Sequence, residues 1–466
     1  MRIAFIVTLL IVPLFSRAAE PDVPSWKAGV AAVVITPDVP MWMAGYASRD
    51  KPAEGKLHDL KAKGLAIEDL HGRRAVIVTI DLVGIDRGLS SAVCEELAKR
   101  HALPRDAILL SVSHTHSGPV AGMTLRPTYA LDEANQRLIE HYTNVLKDRL
   151  VAVAGKAIES LAPADLAWGN GHAGFAVNRR ENYETNVPQL REQGRLKGPF
   201  DHDVPVLSVR DKAGALQAVL FGYACHATVL SGYDWSGDYP GFAQIALEKA
   251  HPGAIAMFFA GCGADQNPLP RRTVALAEAY GNSLAESVDE VLGAPMTLID
   301  GRLTTAYRET VIPFAAVPSR EELNQTAAGS NRYEVGRAKL LLSQLDRDGA
   351  IRADYPYPVQ AWRLDGLTLV ALGGEVVVDY SLRLKRELGA ETTWVAGYTN
   401  DVMAYIPTRR VLEEGGYEGG DSMVYFGLPS PWSPEIETRI VTAVHEQVQK
   451  VRTDAATVED EKTSSR

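Results

Sequence analysis

The chain contains 466 residues, 46% of them hydrophobic, and has a formal net charge of −10. An acidic protein attracts phosphate backbones poorly, which excludes a general nucleic-acid binder. With only three cysteines the fold must be built on a hydrophobic core, and the length suits one large α/β domain or two merged lobes.

The N-terminus has the charged, apolar and small-residue order of a secretory signal peptide. Arg2 precedes an apolar run from Ile3 to Phe15, and small residues follow up to Ala19. The run is too short to span a bilayer comfortably, and no second long apolar segment follows. We therefore predict that residues 1–18 are a cleaved signal peptide and that the protein is secreted or periplasmic.

Beyond this segment, apolar runs of two kinds alternate along the chain. Short runs predict strands, and longer runs with apolar residues at helical spacing predict helices. The predicted strands lie in the segments 30–35, 64–67, 74–80, 107–110, 218–226, 254–260, 367–375 and 394–405. The predicted helices are 89–100, 132–161, 242–249, 273–291, 321–345 and 434–451. This order predicts an α/β fold with a mixed central sheet flanked by helices.

Three further segments are predicted to be irregular. Segment 178–200 is polar and segment 415–427 is Gly-rich, so both are predicted loops, and loops at strand ends often carry binding groups. Residues 453–466 are charged and lack aromatic side chains, which predicts a disordered tail.

Several predicted strands end abruptly in small residues next to a side chain that can bind a metal. Segment 218–226 ends in Cys225-His226, and segment 367–375 ends in Gly-Gly-Glu375. Because ligands bind where the strands of α/β sheets end, we expect these polar ends to meet at one metal site. Cys225 and Cys262 both follow strands, and a disulfide between them or two buried free thiols remain equally open.

The most informative stretch is Ser-His-Thr-His-Ser-Gly-Pro at 113–119, directly after an apolar run. In an extended backbone residues i and i+2 point the same way, so His114 and His116 would converge. Two imidazoles that meet at one point can both bind a metal ion. Alternatively, one of them binds the metal and the other acts as an acid/base. Paired histidines also occur as ordinary surface or core residues.

Four motifs together resemble the neutral/alkaline non-lysosomal ceramidase family in order and spacing. They are Ser-His-Thr-His-Ser-Gly-Pro, Cys-His-Ala-Thr, Gly-Asp-Tyr-Pro-Gly and Asn-Asp-Val-Met-Ala-Tyr-Ile-Pro-Thr, with Tyr417 twelve residues after Tyr405. Members of that family are zinc amidases that cleave N-acyl sphingoid bases. The resemblance covers nearly all of the mature chain, and it implies that residues 19–452 form the catalytic domain.

The resemblance also implies a role for individual side chains. The zinc ligands that it implies are His114, His226, Glu375 and Tyr405. On the catalytic side it implies His116 and Tyr417, with Arg179 contacting substrate. Each residue has a simpler alternative: Glu375 as a helix cap, the tyrosines as packing residues, and Arg179 as a solvated side chain.

One motif departs from the family pattern. Where the family carries Gly-Asp-Val-Ser-Pro-Asn, with a serine proposed as nucleophile, this chain has Gly263-Ala-Asp-Gln266-Asn-Pro268. Gln266 cannot form a serine-type acyl-enzyme, and attack by a water that the metal activates remains open. We predict that Gln266 donates a hydrogen bond to the developing oxyanion or to a substrate hydroxyl.

These observations predict an exported, Zn²⁺-dependent amidohydrolase that acts on the linear amide of a small N-acylated, ceramide-like amphiphile, with transient contact to a membrane surface. A zinc amidase or esterase acting on another polar conjugate, such as an N-acylated sugar, remains open, as does a non-catalytic lipid- or glycan-binding protein. A metallophosphatase would need more bridging Asp and Asn residues than Gly237-Asp238-Tyr239 supplies. The acyl-chain length, the head group and the oligomeric state are not determined by the sequence.

Overall fold

The computed structural model describes residues 26–125, 128–129 and 131–464, with side chains described as far as residue 455. The predicted signal peptide, residues 1–18, lies outside these ranges. Within them, helices that combine the length and the apolar character needed to cross a bilayer are absent. The predicted α/β fold with a mixed sheet and flanking helices is confirmed.

Two kinds of element build this part of the chain. The strands are β1 (Lys27–Val34), β2 (Gly55–Lys56), β3 (Lys61–Glu68), β4 (Arg74–Ile80), β5 (Ile108–Val112), β6 (Ala162–His172), β7 (Ala176–Asn178), β8 (Asp203–Asp211), β9 (Leu216–Tyr223), β10 (Asp234–Trp235), β11 (Ile255–Ala260), β12 (Gln266–Pro268), β13 (Thr297–Leu298), β14 (Leu303–Pro313), β15 (Asp354–Leu364), β16 (Leu367–Leu372), β17 (Glu375–Val376), β18 (Thr393–Ala396) and β19 (Tyr405–Ile406). The helices are α1 (Arg87–His101), α2 (Glu133–Glu159), α3 (Val187–Glu192), α4 (Asp238–Ala250), α5 (Val274–Gly293), α6 (Arg320–Ala327), α7 (Arg332–Asp348), α8 (Val378–Leu388), α9 (Arg409–Glu414), α10 (Met423–Phe426) and α11 (Ile436–Ser464).

The larger sheet has nine strands in the order β11-β9-β8-β6-β1-β3-β4-β5, with β13 paired to β6. It is mixed, because β4 pairs in parallel with β5 and β9 with β11, whereas the other pairs are antiparallel. Helix α2 packs on β1, β3 and β4. Its close approach depends on Gly29, where a Cβ would lie 2.2 Å from the Ala157 carbonyl oxygen.

The smaller sheet has the order β14-β15-β16-β18, and α8 and α11 pack against it. Single β-bridges connect the two sheets, one between Gly261 and Ala396 and one between Ser111 and Thr399. The strand ends that carry the predicted site residues therefore meet where the two sheets join.

Backbone hydrogen bonds fix this meeting of strand ends. The His116 N–H donates to the Ala227 carbonyl at 3.2 Å, which joins the segment after β5 to the segment after β9. Tyr398, after β18, donates its N–H to the carbonyl of Gly374, after β16, at 3.0 Å. The residues that directly follow β5, β9, β16 and β18 are therefore held close to one another by backbone hydrogen bonds.

Some element predictions need correction. The helix predicted for 321–345 is two helices, α6 and α7, because Gly329-Ser330-Asn331 interrupts it and Asn331 caps α7. The backbone of α11 continues through most of segment 453–466, predicted to be disordered, since Ala, Glu and Lys there favour helix. The predicted loops contain α3 and α10. Cys225 and Cys262 are buried free thiols.

Candidate metal centre

The structure brings together the four side chains implied as metal ligands. The Nε2 atoms of His114 and His226 lie 3.1 Å and 3.2 Å from Oε2 of Glu375. The hydroxyl of Tyr405 lies 3.3 Å from Nε2 of His226. Glu375 and Tyr405 are themselves register partners in the parallel pair β17–β19. Two imidazoles, one carboxylate and one phenol therefore surround a common point.

The protonation of the two histidines suits a bound cation. His114 Nδ1 donates to the Val83 carbonyl at 2.5 Å, and His226 Nδ1 donates to the Gly263 carbonyl at 2.8 Å. Because a carbonyl can only accept, the neutral rings carry their protons on Nδ1 and present unprotonated Nε2 atoms. These lone pairs face Oε2 of Glu375, a buried oxygen without a hydrogen-bond donor. A cation satisfies all three groups, so this donor set fits a metal ion.

His116 completes the cluster. Its Nε2 lies 3.2 Å from Nε2 of His114, and the ligand atoms of His114, His116 and His226 are all within 4.8 Å of one another. The Nδ1 atom of His116 is buried and has no hydrogen-bond partner. This group of three imidazoles could hold a metal, and His116 is placed either to join the ligands or to serve as an acid/base beside them.

Burial sets the charge state of His226 and His116. Desolvation lowers the pKa of His226 to about 4 and holds the pKa of His116 well below its usual value, with the neighbouring imidazoles acting in the same direction. Both rings are therefore neutral at pH 7, which is the state in which a histidine binds a metal or accepts a proton.

A left-handed turn, rather than strand alternation, brings His114 and His116 together. Strand β5 ends at Val112, and His114 has a φ of 59°, a conformation that is rare outside glycine. The two rings nevertheless lie 4.8 Å apart in an edge-to-face arrangement. Tyr398, at φ 55°, packs its ring 4.3 Å from that of His114. Such unfavourable conformations are typical of functional sites.

Arg179 reaches this centre from the loop after β7. Its Nη2 donates to the Tyr405 hydroxyl at 3.1 Å, and its Nε donates to Oε1 of Glu418 at 2.6 Å. Arg180 donates to the other oxygen of Glu418 at 2.7 Å. Glu418 thus ties both arginines to the loop that carries Tyr417. Glu418 was not predicted as a site residue, because its pairing with an arginine 239 residues away leaves no local signal in the sequence.

Tyr417 and Gln266 lie at the edge of the cluster. The Tyr417 ring is 5.2 Å from the Tyr405 ring, and 45% of Tyr417 is exposed. Gln266 is buried, and its carbonyl accepts from the His226 N–H at 3.0 Å. Its side chain donates to the Pro199 carbonyl at 3.2 Å, while its Oε1 has no partner. The structure therefore places Gln266 beside a ligand loop and engages its amide with Pro199.

A second group of residues supports His116 without having been predicted. The Tyr46 ring packs 4.8 Å from the His116 ring, and Arg49 donates to the His116 carbonyl at 2.6 Å. At Gly45, with φ 104°, a Cβ would lie 2.5 Å from the His116 ring. Only glycine allows this approach, because it tolerates positive φ and has no side chain.

The Gly-Asp-Tyr-Pro-Gly motif has a structural role behind the site. Asp238 accepts from the backbone N–H groups of Val229 and Leu230, at 3.2 Å and 2.8 Å, and so holds the segment that follows His226. Burial raises the pKa of Asp238 to about 6. Asp265 acts similarly: it accepts from the Val378 N–H at 2.9 Å and from the side chain of Asn178 at 3.0 Å.

Two further polar side chains near the site, His58 and Asp203, have structural partners outside the cluster. His58 accepts from the Gly237 N–H at 2.8 Å, which places it at the start of α4. Asp203 pairs with Lys385 at 2.7 Å, together with the buried Asp201. Both side chains stabilise surrounding structure.

The fold and the cluster define a class: mixed α/β proteins with a buried His, Glu and Tyr centre at the ends of several strands. Within that class, residues 26–263 match the sequence profile described as neutral/alkaline non-lysosomal ceramidase, N-terminal. The chain belongs to this family, and the predicted family resemblance is confirmed.

Comparison with individual proteins gives more distant relationships. Neutral ceramidase A and neutral ceramidase B of Dictyostelium discoideum are each 26% identical, over 42% and 41% of this chain and 28% and 27% of their own lengths. Neutral ceramidase 1 of Arabidopsis thaliana is 25% identical over 58% of this chain and 36% of its own length. The matches thus span roughly a third of these relatives or less.

The crystal structure of neutral ceramidase from Pseudomonas aeruginosa has the same fold. It superposes with a TM-score of 0.72 at 21% identity, over 93% of this chain and 75% of the other. A structure described as ceramidase complexed with C2 gives the same TM-score at 20% identity, over 92% and 76% of the two chains. The shared architecture therefore extends well beyond residue 263.

Proposed function

We propose that this chain is an exported, zinc-dependent hydrolase that cleaves the linear amide bond of an N-acylated, ceramide-like amphiphile with water as the nucleophile. The observation that carries the proposal is the convergence of unprotonated imidazole nitrogens on the Glu375 carboxylate, beside the Tyr405 hydroxyl. Family membership supports amide hydrolysis as the reaction. The similarity to neutral ceramidases supports ceramide as the first substrate to test.

The donor set supports zinc in particular. Nitrogen and oxygen ligands from His, Glu and Tyr suit a borderline cation, and the set contains none of the cysteine thiolates that dominate structural zinc sites. When held by the four implied ligands, zinc would supply Lewis-acid chemistry, which lowers the pKa of water and polarises an amide carbonyl.

Side chains of this protein can deliver the proton that the leaving nitrogen needs, and they can position the substrate. Hydrolysis adds the water oxygen to the carbonyl carbon, breaks the C–N bond and delivers a proton to the leaving nitrogen. His116 is the candidate that carries this proton, because its ring lies within the cluster and its Nδ1 is free of hydrogen bonds. Arg179 and Tyr417 are candidates for holding the amide oxygen or a nearby substrate hydroxyl.

The decisive experiment combines metal analysis with turnover. The purified mature chain should contain stoichiometric zinc and release free amine from N-acyl substrates, beginning with N-acylsphingosines. Chelation should abolish release, and added Zn²⁺ should restore it. A protein that binds no metal, or that binds zinc and releases amine from none of the N-acyl substrates, would contradict the proposal.

A second candidate substrate class is favoured by the cavity at the mouth of the site. Residues of polar character dominate its lining, including Arg180, Asn182, Glu184 and Asn267. A hydrophilic N-acyl conjugate fits such a lining better than a second lipid chain does, because covering charged side chains with hydrocarbon removes their water at a cost in free energy.

A further inference from the structure

A cavity of about 390 Å³ opens beside the proposed catalytic residues and runs to the surface. Its lining includes Arg179 and Tyr417, which contact or pack near Tyr405. Arg271, Glu184 and the highly exposed Tyr183 also line it. Through Arg179 and Tyr417 the cavity borders the Tyr405 side of the metal centre.

The cavity lining is unsuited to an acyl chain. Among the described residues that line it, Leu269 alone is aliphatic, and the charged groups are three arginines and two glutamates. A hydrocarbon chain in this space would remove water from charged side chains, and this desolvation costs free energy even when the charges are paired. The cavity consequently fits the polar, amine side of an N-acyl substrate.

Arg271 and its neighbour Arg272 are only partly neutralised. Arg271 donates through Nε and Nη2 to a single oxygen of Glu184, at 3.1 Å and 2.9 Å. Arg272 contacts the same carboxylate at 3.5 Å. One carboxylate therefore serves two guanidinium groups, and the side chain of Arg271 is only 16% exposed. By contrast, Arg179 and Arg180 are matched by two carboxylates, because they share Glu418 and Arg180 also pairs with Glu414 at 3.0 Å.

A positive cavity on a chain of net charge −10 points to an anionic ligand group. Guanidinium groups bind carboxylates with two parallel hydrogen bonds, which gives both affinity and orientation. We propose that the preferred substrate carries a carboxylate on the amine side of the scissile amide, as in an N-acylated amino acid, and that Arg271 binds this carboxylate. The proposal rests on the proposed amide hydrolase function and favours an N-acylated amino acid over a ceramide-like amphiphile as the substrate.

The test uses matched substrates that differ only in charge. N-lauroyl derivatives of glycine and of γ-aminobutyrate, each as the free acid and as the primary amide, place the charge at two distances from the scissile bond. N-lauroylsphingosine serves as the neutral lipid reference. Release of amine gives kcat/KM for each. We expect the acid to exceed its amide by about 10-fold or more for at least one of the two lengths.

Replacement of the arginine tests its role. Arg271→Gln should lower the acid-to-amide ratio of kcat/KM by about 10-fold, mainly through KM. Arg195→Gln is the matched control, because it removes the same charge from the exposed neighbouring loop without lining the cavity, and it should leave the ratio unchanged. In the wild-type protein the acid preference should also weaken with increasing salt, a readout that does not depend on the folding of a variant.

The outcomes separate the two proposals. If wild-type protein releases amine from N-lauroylsphingosine and from the primary amides at least as well as from the acids, the carboxylate site is wrong and the hydrolase function stands. If Arg271→Gln slows acids and amides equally, Arg271 has a structural role and the site is wrong. Release from none of the substrates by the metal-loaded protein overturns the hydrolase function and the site together.

Discussion

The guanidinium of Arg179 donates a hydrogen bond of 3.1 Å to the hydroxyl oxygen of Tyr405. This contact joins the loop after β7 to the two-stranded ladder that carries Glu375 and Tyr405. It also directs a fixed positive charge at the phenol next to His226. Glu418 also accepts a hydrogen bond of 2.6 Å from Arg179, so the position of this guanidinium depends on the loop that carries Tyr417 as well.

The first prediction concerns the metal. His226→Ala should abolish stoichiometric zinc, because it removes a nitrogen ligand whose orientation is fixed by the Gly263 carbonyl. Metal content by inductively coupled plasma mass spectrometry measures this directly. His445→Ala, at an exposed histidine paired with Glu387, is the control and should retain the metal. A full equivalent of zinc in His226→Ala would show that the ligand assignment is wrong.

The second prediction separates a catalytic from a ligating His116. His116→Ala should retain zinc and lose turnover by roughly 10²- to 10⁴-fold, as expected for a positioned acid/base. The measurement pairs metal content with kcat on the same preparation. Loss of zinc together with activity would instead make His116 a ligand, an arrangement that the 3.2 Å approach of its Nε2 to His114 also permits.

The third prediction is that no acyl-enzyme forms. The family resemblance places Gln266 where a serine is the proposed nucleophile, and an amide side chain cannot be acylated in that way. Rapid mixing with a chromogenic N-acyl substrate should therefore show no burst of amine, and mass spectrometry of quenched turnover should show unmodified protein. An acyl adduct trapped on any Ser or Thr would overturn the direct-water mechanism.

The fourth prediction tests the packing of His116. Gly45→Ala should lower kcat by about 10-fold or more, because the added Cβ would displace the His116 ring from the cluster. Gly72→Ala is the control: its φ of 79° imposes comparable backbone strain of about 1–2 kcal/mol, and no atom lies within 4 Å of its Cβ. If both variants lose stability equally and keep full activity, the contact with His116 has no catalytic importance.

The fifth prediction is a pH dependence of stability. Burial alone would raise the pKa of Glu418, but Arg179 and Arg180 bring it below its usual value. A lowered folded pKa contributes stability that is present above the unfolded pKa of about 4.3 and is lost as pH falls through the folded value. Glu418→Gln should therefore destabilise the protein by roughly 2 kcal/mol at pH 7, less than the ~3–5 kcal/mol of a fully buried pair because Arg180 retains Glu414.

Urea unfolding at several pH values measures this effect. The stability difference between wild type and Glu418→Gln should shrink as the pH falls below about 4. The control is Glu413→Gln, at an exposed pair with Arg409, which should change stability by less than about 0.5 kcal/mol at every pH. If the stability difference between wild type and Glu418→Gln stays constant down to low pH, the charge of the Glu418 carboxylate is not the cause of that difference.

The sequence determined the elements and the chemical types at the site. Apolar periodicity located most strands and helices, since each depends on neighbouring residues and on burial of one face. The positions of His114, His226, Glu375 and Tyr405 directly after apolar segments predicted that strand ends would meet, and the structure brings them together. Such local patterns can be recognised in a single sequence because they do not depend on contacts between distant segments.

Only the tertiary structure decided how these groups face one another. His114 and His116 converge through a left-handed turn, which requires the Val83 carbonyl and the Tyr398 ring to hold the histidine in an unfavourable conformation. Glu418 lies 239 residues from Arg179, so their pairing leaves no local signal. The charge balance of the cavity depends in the same way on which carboxylate two arginines share. Such properties arise from contacts between segments far apart in the chain, and periodicity and composition do not encode them.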